Sequence, residues 1–408
     1  MARRPARHTF VFFLATAGWL TGCYDLSVEQ HDPERVWAGY TVLTEFDLDD
    51  STHTTRVIDM DGTIVHEIGY GGSPARLLPD GTFMLAGARD GLEVQTLLQL
   101  SWDGAVLWSF SDWDNGSARQ HHDYQVGGSN PVGYYAPDLT LIGPASGGNV
   151  VMLTHENLPI GVQDIAGSRL RSDVIIEVDP AGEVVWQWHA AEHFEEMGFS
   201  ESAKAEIYDR GGDWLHMNSL SYLGPNRHDQ ELQDERFAPD NLIVGSRNGN
   251  FYAIIDKRTG SFVWRIGPDF SAGTPEHHLG PIIGAHHIHL VPKGLPGAGN
   301  ILLFDNGALA GYGDQVYSRD YSRVLELDPI DLSIVWEYAE DLYAERVSSA
   351  QRLPNGNTMI CEGTAGRVIE VTPDKEIVWE LQVTEAGFES SLTRAYRVPY
   401  WWNPSFVE

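Results

Sequence analysis

Long apolar runs are almost missing from this chain of 408 residues. After residue 23 no stretch reaches the roughly 18 apolar residues that a membrane-spanning helix needs, so we expect no span there. The exception is N-terminal, where three arginines precede an apolar run and the phrase Leu20-Thr21-Gly22-Cys23. This order predicts a lipoprotein signal over 1–23 with an acylated Cys23. We therefore expect an exported protein, held by its lipid anchor on the periplasmic side or at the outer membrane.

Cysteine and basic residues are scarce as well. Cys361 is the only cysteine after residue 23, so no internal disulfide is expected, and its Met-Ile-Cys context predicts a buried apolar side chain. There are 27 Lys and Arg against 58 Asp and Glu, a formal charge of −31. Nucleic acid and anionic lipid surfaces are therefore poor partners for the folded body, and an anionic ligand would need locally concentrated cations.

Three familiar catalytic patterns are absent from the sequence. It has no Gly-x-Ser-x-Gly, no His-Glu-x-x-His and no P-loop. These absences exclude a serine-hydrolase elbow, a zinc-protease helix and a nucleotide-phosphate loop of the usual kind.

What the sequence does have is a repeated phrase: Asp, a turn, two or three aliphatic residues, then Trp. Each copy is typical of a β-hairpin, which cannot bury its faces alone. The first and last intervals between copies match one propeller blade of about 40–45 residues, and the longer middle intervals predict insertions. The Trp position of the six copies is occupied by His66, Trp108, Trp186, Trp264, Trp336 and Trp379.

A second hairpin phrase alternates with the first, over 75–87, 147–155, 297–307 and 350–363. Joined to the Trp hairpin that follows, it supplies four strands, the content of one blade. Six units predict an all-β fold, a six-bladed β-propeller with loop and short-helix insertions. A β-sandwich is the alternative, but it does not require a phrase that returns in phase. We place the propeller at 39–408, after a polar tether at 24–38.

Histidines cluster where the blades begin: in His121-His122-Asp123, around His216, and in His286-His287-Ile288-His289. Because the first strand of each blade lines the central channel, we expect the clusters to meet in one axial pocket. Any single histidine could instead be a hydrogen-bonded core residue. The two rings of His287-x-His289 share one strand face and would suit a transition metal, with Asp123 as a possible carboxylate ligand, although we expect no stoichiometric metal.

These phrases resemble those of the bacterial arylsulfate sulfotransferases. The resemblance implies a periplasmic six-bladed propeller that moves a sulfuryl group from a phenolic sulfate ester to another phenol, without a nucleotide donor or other cofactor. Its partners would be small molecules, an aryl sulfate donor and a phenolic acceptor. The resemblance spans residues 120–408 and rests on the phrases at 213–219, at 284–286, at 301–307, at 321–323 and at 335–338.

The resemblance also implies roles for residues. His216 and His286 match two active-site histidines that hold and polarise the sulfuryl and phenolic oxygens, as a transition state with dispersed charge requires. We expect Asn218 to orient His216 and either Arg394 or Arg397 to neutralise the sulfate. The predicted substrate-binding residues are Asn218, Asn306, Arg323, Arg394 and Arg397.

Two positions depart from the family's pattern. The phrase with the nucleophilic histidine, similar to Thr-His-Tyr-Arg-Ala-Leu, corresponds to 392–398, which has no histidine. The arginine that follows the family's Phe-Asp-Asn-Gly corresponds to 308–311, Ala-Leu-Ala-Gly, so another arginine would replace it. If a covalent carrier is retained, we expect it to be His122 or His287; otherwise the transfer is direct.

Two other interpretations stay open: a non-catalytic ligand-binding or scaffold propeller, and a metal-dependent propeller hydrolase of the lactonase type. Polar insertions are expected to cover the channel. The one at 193–209 predicts a solvated amphipathic lid rather than an acid/base pair at Glu195-Glu196, and the one at 225–241 is predicted to roof the channel mouth.

Overall fold

The computed structural model describes residues 24–46, 53–69, 74–89, 92–114, 117–127, 134–139, 142–385, 388–389 and 391–406. The predicted signal over 1–23 and its Cys23 lie outside these residues. None of the helices in the described ranges is long and apolar enough to cross a membrane.

Six antiparallel blades follow one another around a ring in the described part of the chain, which confirms the all-β six-bladed propeller. Strands are named A to D in order of pairing, and A lies innermost because the A strands of neighbouring blades contact one another. The strands A to D are Ser391–Val398, Tyr40–Phe46, His53–Ile58 and Ile64–Ile68 in blade 1; Arg76–Leu77, Phe83–Arg89, Leu92–Leu100 and Val106–Phe110 in blade 2; Gln120–Val126, Val150–Leu158, Leu170–Val178 and Val184–His189 in blade 3; Met217–Tyr222, Leu242–Ser246, Phe251–Ile255 and Phe262–Ile266 in blade 4; His286–Leu290, Ile301–Asp305, Arg323–Leu327 and Ile334–Tyr338 in blade 5; Ser349–Arg352, Thr358–Glu362, Arg367–Val371 and Ile377–Glu385 in blade 6.

Short elements occupy the connections. The longest helix begins after Ser200, whose Oγ accepts the N–H of Ala203, and ends at Gly211 with a φ of 55°. The helices are Glu201–Arg210 and Arg227–Gln230, with 3-10 turns at Pro144–Ser146, Val162–Asp164, Ala190–Met197, Glu235–Phe237, His277–Leu279, Gly313–Gln315, Gly363–Ala365 and Tyr400–Trp402. The extra strands are Tyr24–His31, Trp113–Asp114, Ser117–Ala118, Gly212–Asp213 and Phe388–Glu389.

The first and last described strands lie in neighbouring blades, 6 and 1, where the ring closes. In blade 1 the C-terminal strand A pairs with strand B, from Tyr40 with Val398 to Phe46 with Ser391. Residues 24–31 add a fifth strand to blade 6, pairing Tyr24 with Glu385 and His31 with Trp379. The tether predicted at 24–38 is therefore wrong. The alternating side chains of Leu26 and Val28 pack on the blade 6 core while their neighbours face solvent, which is strand periodicity.

The repeated Trp joins each blade to the next. In blades 2 to 6 its indole N–H donates to a backbone carbonyl in the following blade, at 2.8–3.1 Å. In blade 1 the position holds His66, whose ring stacks on Trp102 of blade 2 with centroids 4.2 Å apart. The phrase thus recurs because every blade needs the same contact with its neighbour. The donor and acceptor pairs are Trp108 with Pro180, Trp186 with Lys257, Trp264 with Pro329, Trp336 with Pro373 and Trp379 with Met60.

The histidine clusters lie at one end of the ring, where the A strands begin, which we call the entrance end. The 193–209 insertion joins blade 3 to strand A of blade 4, so its helices lie at this end. The insertion at 225–241 joins strand A to strand B and must lie at the opposite end, so the prediction that it roofs the same mouth is wrong. At that opposite end Tyr134 is fully buried in the ring, with its hydroxyl 2.9 Å from Nε2 of His289.

Candidate active site

Three A strands bend at a histidine. His122, His216 and His287 have φ values of 52°, 50° and 54°, in the left-handed region that residues other than glycine seldom enter. The pairing of strand A with strand B shifts register beside each of them. Such bulges redirect side chains, so the three rings turn away from the regular alternation of the strand.

The structure brings His122, His216, His286 and Arg394 together, from blades 3, 4, 5 and 1. The rings of His122 and His216 meet edge to face, with centroids 4.5 Å apart. Burial, followed by the charges of His121, His216, His286 and Arg394, holds the pKa of His122 well below its ordinary value. His122 is therefore a neutral imidazole at neutral pH.

Asn306 determines which nitrogen of His286 carries the proton. Its Nδ2 donates to the carbonyls of Ala344 at 2.8 Å and Val347 at 3.2 Å, so its Oδ1 faces His286 and accepts from Nδ1 at 2.7 Å. Burial lowers the pKa of His286 to about 3, although the Asn306 hydrogen bond opposes the shift. The neutral ring keeps a lone pair on Nε2, which accepts a hydrogen bond rather than donating one to a sulfuryl oxygen.

Asp213 orients His216. Its Oδ2 lies 2.6 Å from Nδ1 of His216, which leaves Nε2 as the free nitrogen. Burial raises the pKa of Asp213, but the hydrogen bond and charge of His216 outweigh it and hold the pKa below the ordinary value. Asn218, predicted to orient His216, instead donates to the carbonyl of Ala285 at 3.0 Å, so that prediction is wrong.

Asp123 links the two arginines at the centre of the ring. Its Oδ1 lies 3.0 Å from Arg76 and its Oδ2 lies 3.0 Å from Arg394 and accepts the N–H of Leu220. Burial alone would lower the pKa of Arg394, but Asp123 and Tyr396 raise it above the ordinary value, so Arg394 stays a cation. Asp123 is thereby occupied by cations and is not available as a metal ligand.

His287 and His289 form a separate, deeper network. Nδ1 of His287 donates to the carbonyl of Ala350 at 2.9 Å, and its Nε2 lies 3.4 Å from the Tyr396 hydroxyl. Nδ1 of His289 donates to the carbonyl of His287 at 2.9 Å while its Nε2 accepts from Tyr134. Across the described ranges, no group of three or more His, Cys, Asp or Glu is arranged to hold a metal. This placement disfavours His287 as the covalent carrier.

Arg323 and Arg397 lie away from the cluster. Arg323 pairs with the fully buried Asp305 at 2.8 Å and donates to the carbonyl of Leu279. Arg397 is fully buried between blades 1 and 6, where it pairs with Glu370 at 3.3 Å and lies over the ring of Trp379. Both arginines hold parts of the fold together, so the prediction that they bind substrate has no support from their contacts.

Arg247 is a cation that the sequence interpretation missed. It follows strand B of blade 4, its N–H donates to the carbonyl of His216, and its guanidinium adds positive charge beside His286. Burial lowers the pKa of Arg247, although the charges of Asp213 and Glu345 oppose the shift. Within the described ranges its side chain makes one hydrogen bond, to Asn248 at 2.8 Å, and so retains donors for an anion.

The family model of the arylsulfotransferases (ASST) matches residues 142–397. The chain belongs to the arylsulfotransferase family. Membership confirms the resemblance and supports sulfuryl transfer and small aryl substrates at the level of the family. His216, His286, Asn306 and Arg394 lie within the match, whereas His122 precedes it. No curated protein matches the chain.

Solved structures similar to the chain include a protein of unknown function from Bacteroides caccae, at 13% identity and a TM-score of 0.46 over 88% of this chain and 98% of that one. Another is a catalytically inactive virginiamycin B lyase from Staphylococcus aureus with quinupristin, at 10% identity and a TM-score of 0.38 over 92% and 100%. A putative 6-phosphogluconolactonase from Bacteroides fragilis matches at 10% identity and a TM-score of 0.40, over 90% of this chain and 100% of that one. At these scores the similarities carry no argument about this chain.

Proposed function

We propose that this arylsulfotransferase-family protein transfers a sulfuryl group from an aryl sulfate ester to a phenolic acceptor, with His122 as the covalent carrier. One observation carries the proposal: His122, His216, His286 and Arg394 converge from four blades in a member of this family. His122 replaces the missing C-terminal histidine because it is neutral and touches His216, which can serve the leaving oxygen of the same substrate.

In the first step Nε2 of His122 donates its lone pair to sulfur, and the bond from sulfur to the phenolic oxygen breaks with its electrons on oxygen. His216, held through Nδ1 by Asp213, acts as the acid and gives an Nε2 proton to that oxygen. Arg394 and Arg247 balance the charge of the sulfuryl oxygens in the loose transition state.

In the second step the acceptor phenol gives its proton to Nε2 of His216, which lost its proton in the first step, and attacks the sulfur of sulfo-His122. The bond from nitrogen to sulfur breaks and returns its electrons to His122. Nε2 of His286, held by Asn306, accepts a hydrogen bond from a phenolic hydroxyl and so positions it. The cycle needs no metal, nucleotide or external base.

The test measures phenolate release from a chromogenic aryl sulfate with and without an added phenol. We expect acceptor-dependent release, and mass spectrometry after donor alone should place one sulfuryl group on His122. His216→Ala should lower kcat by about 10²–10³, the usual effect of losing one transition-state group. His193→Ala is the control, since His193 contacts Glu196 and stacks on Trp188 in strand D, the outermost strand of blade 3. Acceptor-independent release would indicate a sulfatase, and no release would favour the ligand-binding propeller.

We also propose that the protein is an exported lipoprotein anchored through Cys23. The signal pattern over 1–23 supports this, and the structure adds a geometric consequence. Tyr24 pairs with Glu385, so strand Tyr24–His31 starts at the entrance end, and a lipid on the preceding residue would hold the pocket toward the membrane. Cys23→Ser should abolish lipid labelling and leave the precursor uncleaved, whereas normal processing of this variant would refute the anchor.

A further inference from the structure

Asp173 is a carboxylate buried in the sheet of blade 3. It lies on strand C and is 2% exposed. Its Oδ1 lies 3.2 Å from Nε2 of His121, its one basic side-chain partner among the described residues. Its Oδ2 has no hydrogen-bond partner in the same set. Because a buried carboxylate is costly unless it has a partner, the contact with His121 is what accommodates Asp173 inside the blade.

The neighbours of His121 determine its tautomer. Nε2 of His121 faces two acceptors, Asp173 and the carbonyl of Thr154 at 3.1 Å, so Nε2 carries the proton. In a neutral ring Nδ1 is then the lone-pair nitrogen. This Nδ1 lies 2.9 Å from Nδ1 of His122, which must therefore carry a proton to form the contact. The lone pair of His122 is left on Nε2.

We propose that Asp173 and His121 form a relay that presents Nε2 of His122 to sulfur and stabilises the charge that His122 acquires. This inference rests on the proposed function. When Nε2 forms its bond to sulfur, the ring becomes cationic while keeping its Nδ1 proton. That proton points at Nδ1 of His121, whose Nε2 proton points at Asp173, so a carboxylate compensates the charge and no proton has to leave. Neither residue touches the substrate, so both are positioning residues.

The relay lies partly outside the region that the family model matches. His121 and His122 precede the match at 142–397, whereas Asp173 lies inside it. The chain therefore combines a histidine pair from before the matched region with a carboxylate from inside it, both in the same blade. This arrangement compensates for the absent C-terminal histidine, because it supplies a nucleophile with a defined tautomer.

The kinetic test uses Asp173→Asn in the full chain. We expect sulfo-His122 formation from donor alone, followed by rapid quenching and mass spectrometry, to slow by about 10–100-fold, with KM changed less than twofold. Glu156→Gln is the matched control, because it removes a carboxylate that lies 2.8 Å from His189 in the same blade but away from the cluster. The control should label at the wild-type rate. Equal rates for Asp173→Asn and wild type would overturn the relay.

A spectroscopic test does not depend on turnover. Nitrogen-15 NMR of the substrate-free protein should show His122 protonated at Nδ1 only, and Asp173→Asn should populate the other tautomer. His121→Gln is a second variant, since its amide oxygen can accept the His122 proton without carrying charge; we expect the wild-type tautomer of His122 with slow labelling. Label on another histidine, with turnover intact, would refute both the relay and the role of His122 as the carrier, but not sulfuryl transfer by the protein. Absence of both label and turnover in the wild type would refute the proposed function.

Discussion

Left-handed backbone at His122, His216 and His287 is a residue-scale feature with a cost of about 1–3 kcal/mol each. At His122 and His216 the bend brings two rings from different blades into contact. At His287 the same bend turns the ring to a carbonyl and a tyrosine hydroxyl. The left-handed backbone therefore shows where each A strand bends, and it does not by itself identify a catalytic residue. Whether a ring faces the substrate depends on the groups that it contacts.

Asn306 offers a direct control over the charge of His286. Asn306→Asp keeps an oxygen at Nδ1 but adds a negative charge, so we expect the pKa of His286 to rise from about 3. The two donations to the carbonyls of Ala344 and Val347 are lost in the same variant. Titration by NMR measures the shift, with His289 as an internal reference because its partners are unchanged. An unshifted His286 would mean that Asn306 does not set its protonation.

Arg394 and Arg397 lie on one strand and have different tasks. Arg394→Gln should lower kcat/KM by about 10²-fold or more, because a cation leaves the sulfuryl site. Arg397→Gln should leave kcat unchanged but lower the free energy of unfolding by about 3–5 kcal/mol, because Glu370 is left buried without its partner. Enzyme kinetics and urea unfolding separate the two. A loss of activity without a loss of stability in Arg397→Gln would contradict this division.

The spacing of Arg394 and Arg397 in the sequence was enough to predict that their roles differ. Residues three apart on a strand point to opposite faces, so Arg394 and Arg397 could not both face the channel. The meeting of the histidine clusters was also predictable from the sequence, because each cluster lies at the start of the A strand of its blade. Asp173 and Arg247 were not predictable, because their contacts with His121 and His216 cross strands and depend on where the bulges fall.

At the scale of elements, the repeated phrase is explained by the tryptophan that joins each of blades 2 to 6 to the following blade. Trp264 is almost fully buried and donates to the carbonyl of Pro329 at 2.8 Å. Trp264→Phe retains most of the ring packing but removes this donor, so we expect a loss of about 1–3 kcal/mol in unfolding free energy from the orphaned carbonyl. Trp401→Phe is the control, because Trp401 is 60% exposed. Equal stability of the two variants in urea would show that the indole contact does not join the blades.

The repeated phrase predicted the six blades, but it did not predict that Tyr24–His31 adds a strand to blade 6 or that Ser391–Val398 completes blade 1. The hairpins carry strong local signals, namely turn residues and a fixed Trp. Strand Tyr24–His31 carries only the weak alternation of Leu26 and Val28, and it is a strand because blade 6 offers it an edge. Strand A of blade 1 comes from the C-terminus for the same reason: closure depends on the ring and not on local sequence.

At the scale of the whole molecule, neutral histidines inside the ring make stability depend on pH. Burial lowers the pKa of His289 to about 3, with smaller contributions from Arg394 and Arg352, and it lowers the pKa of His286 to about the same value. The pKa values of His122 and His287 are also well below the ordinary value, mainly because of burial. In the unfolded chain these groups titrate near pH 6.5. Between pH 6.5 and 3 the unfolded state therefore binds more protons, so stability falls as pH falls.

His289 isolates one part of this effect. Its Nδ1 donates to the carbonyl of His287 and its Nε2 accepts from Tyr134, a pair of contacts that the amide of glutamine can also make. His289→Gln should retain the fold at pH 7.5 and show a pH dependence of unfolding that is shallower by up to about 1.4 kcal/mol per unit below pH 6.5. Urea unfolding between pH 7.5 and 5 tests this, in a window above the titration of most carboxylates. An unchanged slope would mean that the unfolded and folded states protonate His289 alike, and that the deep network of the ring does not exclude protons.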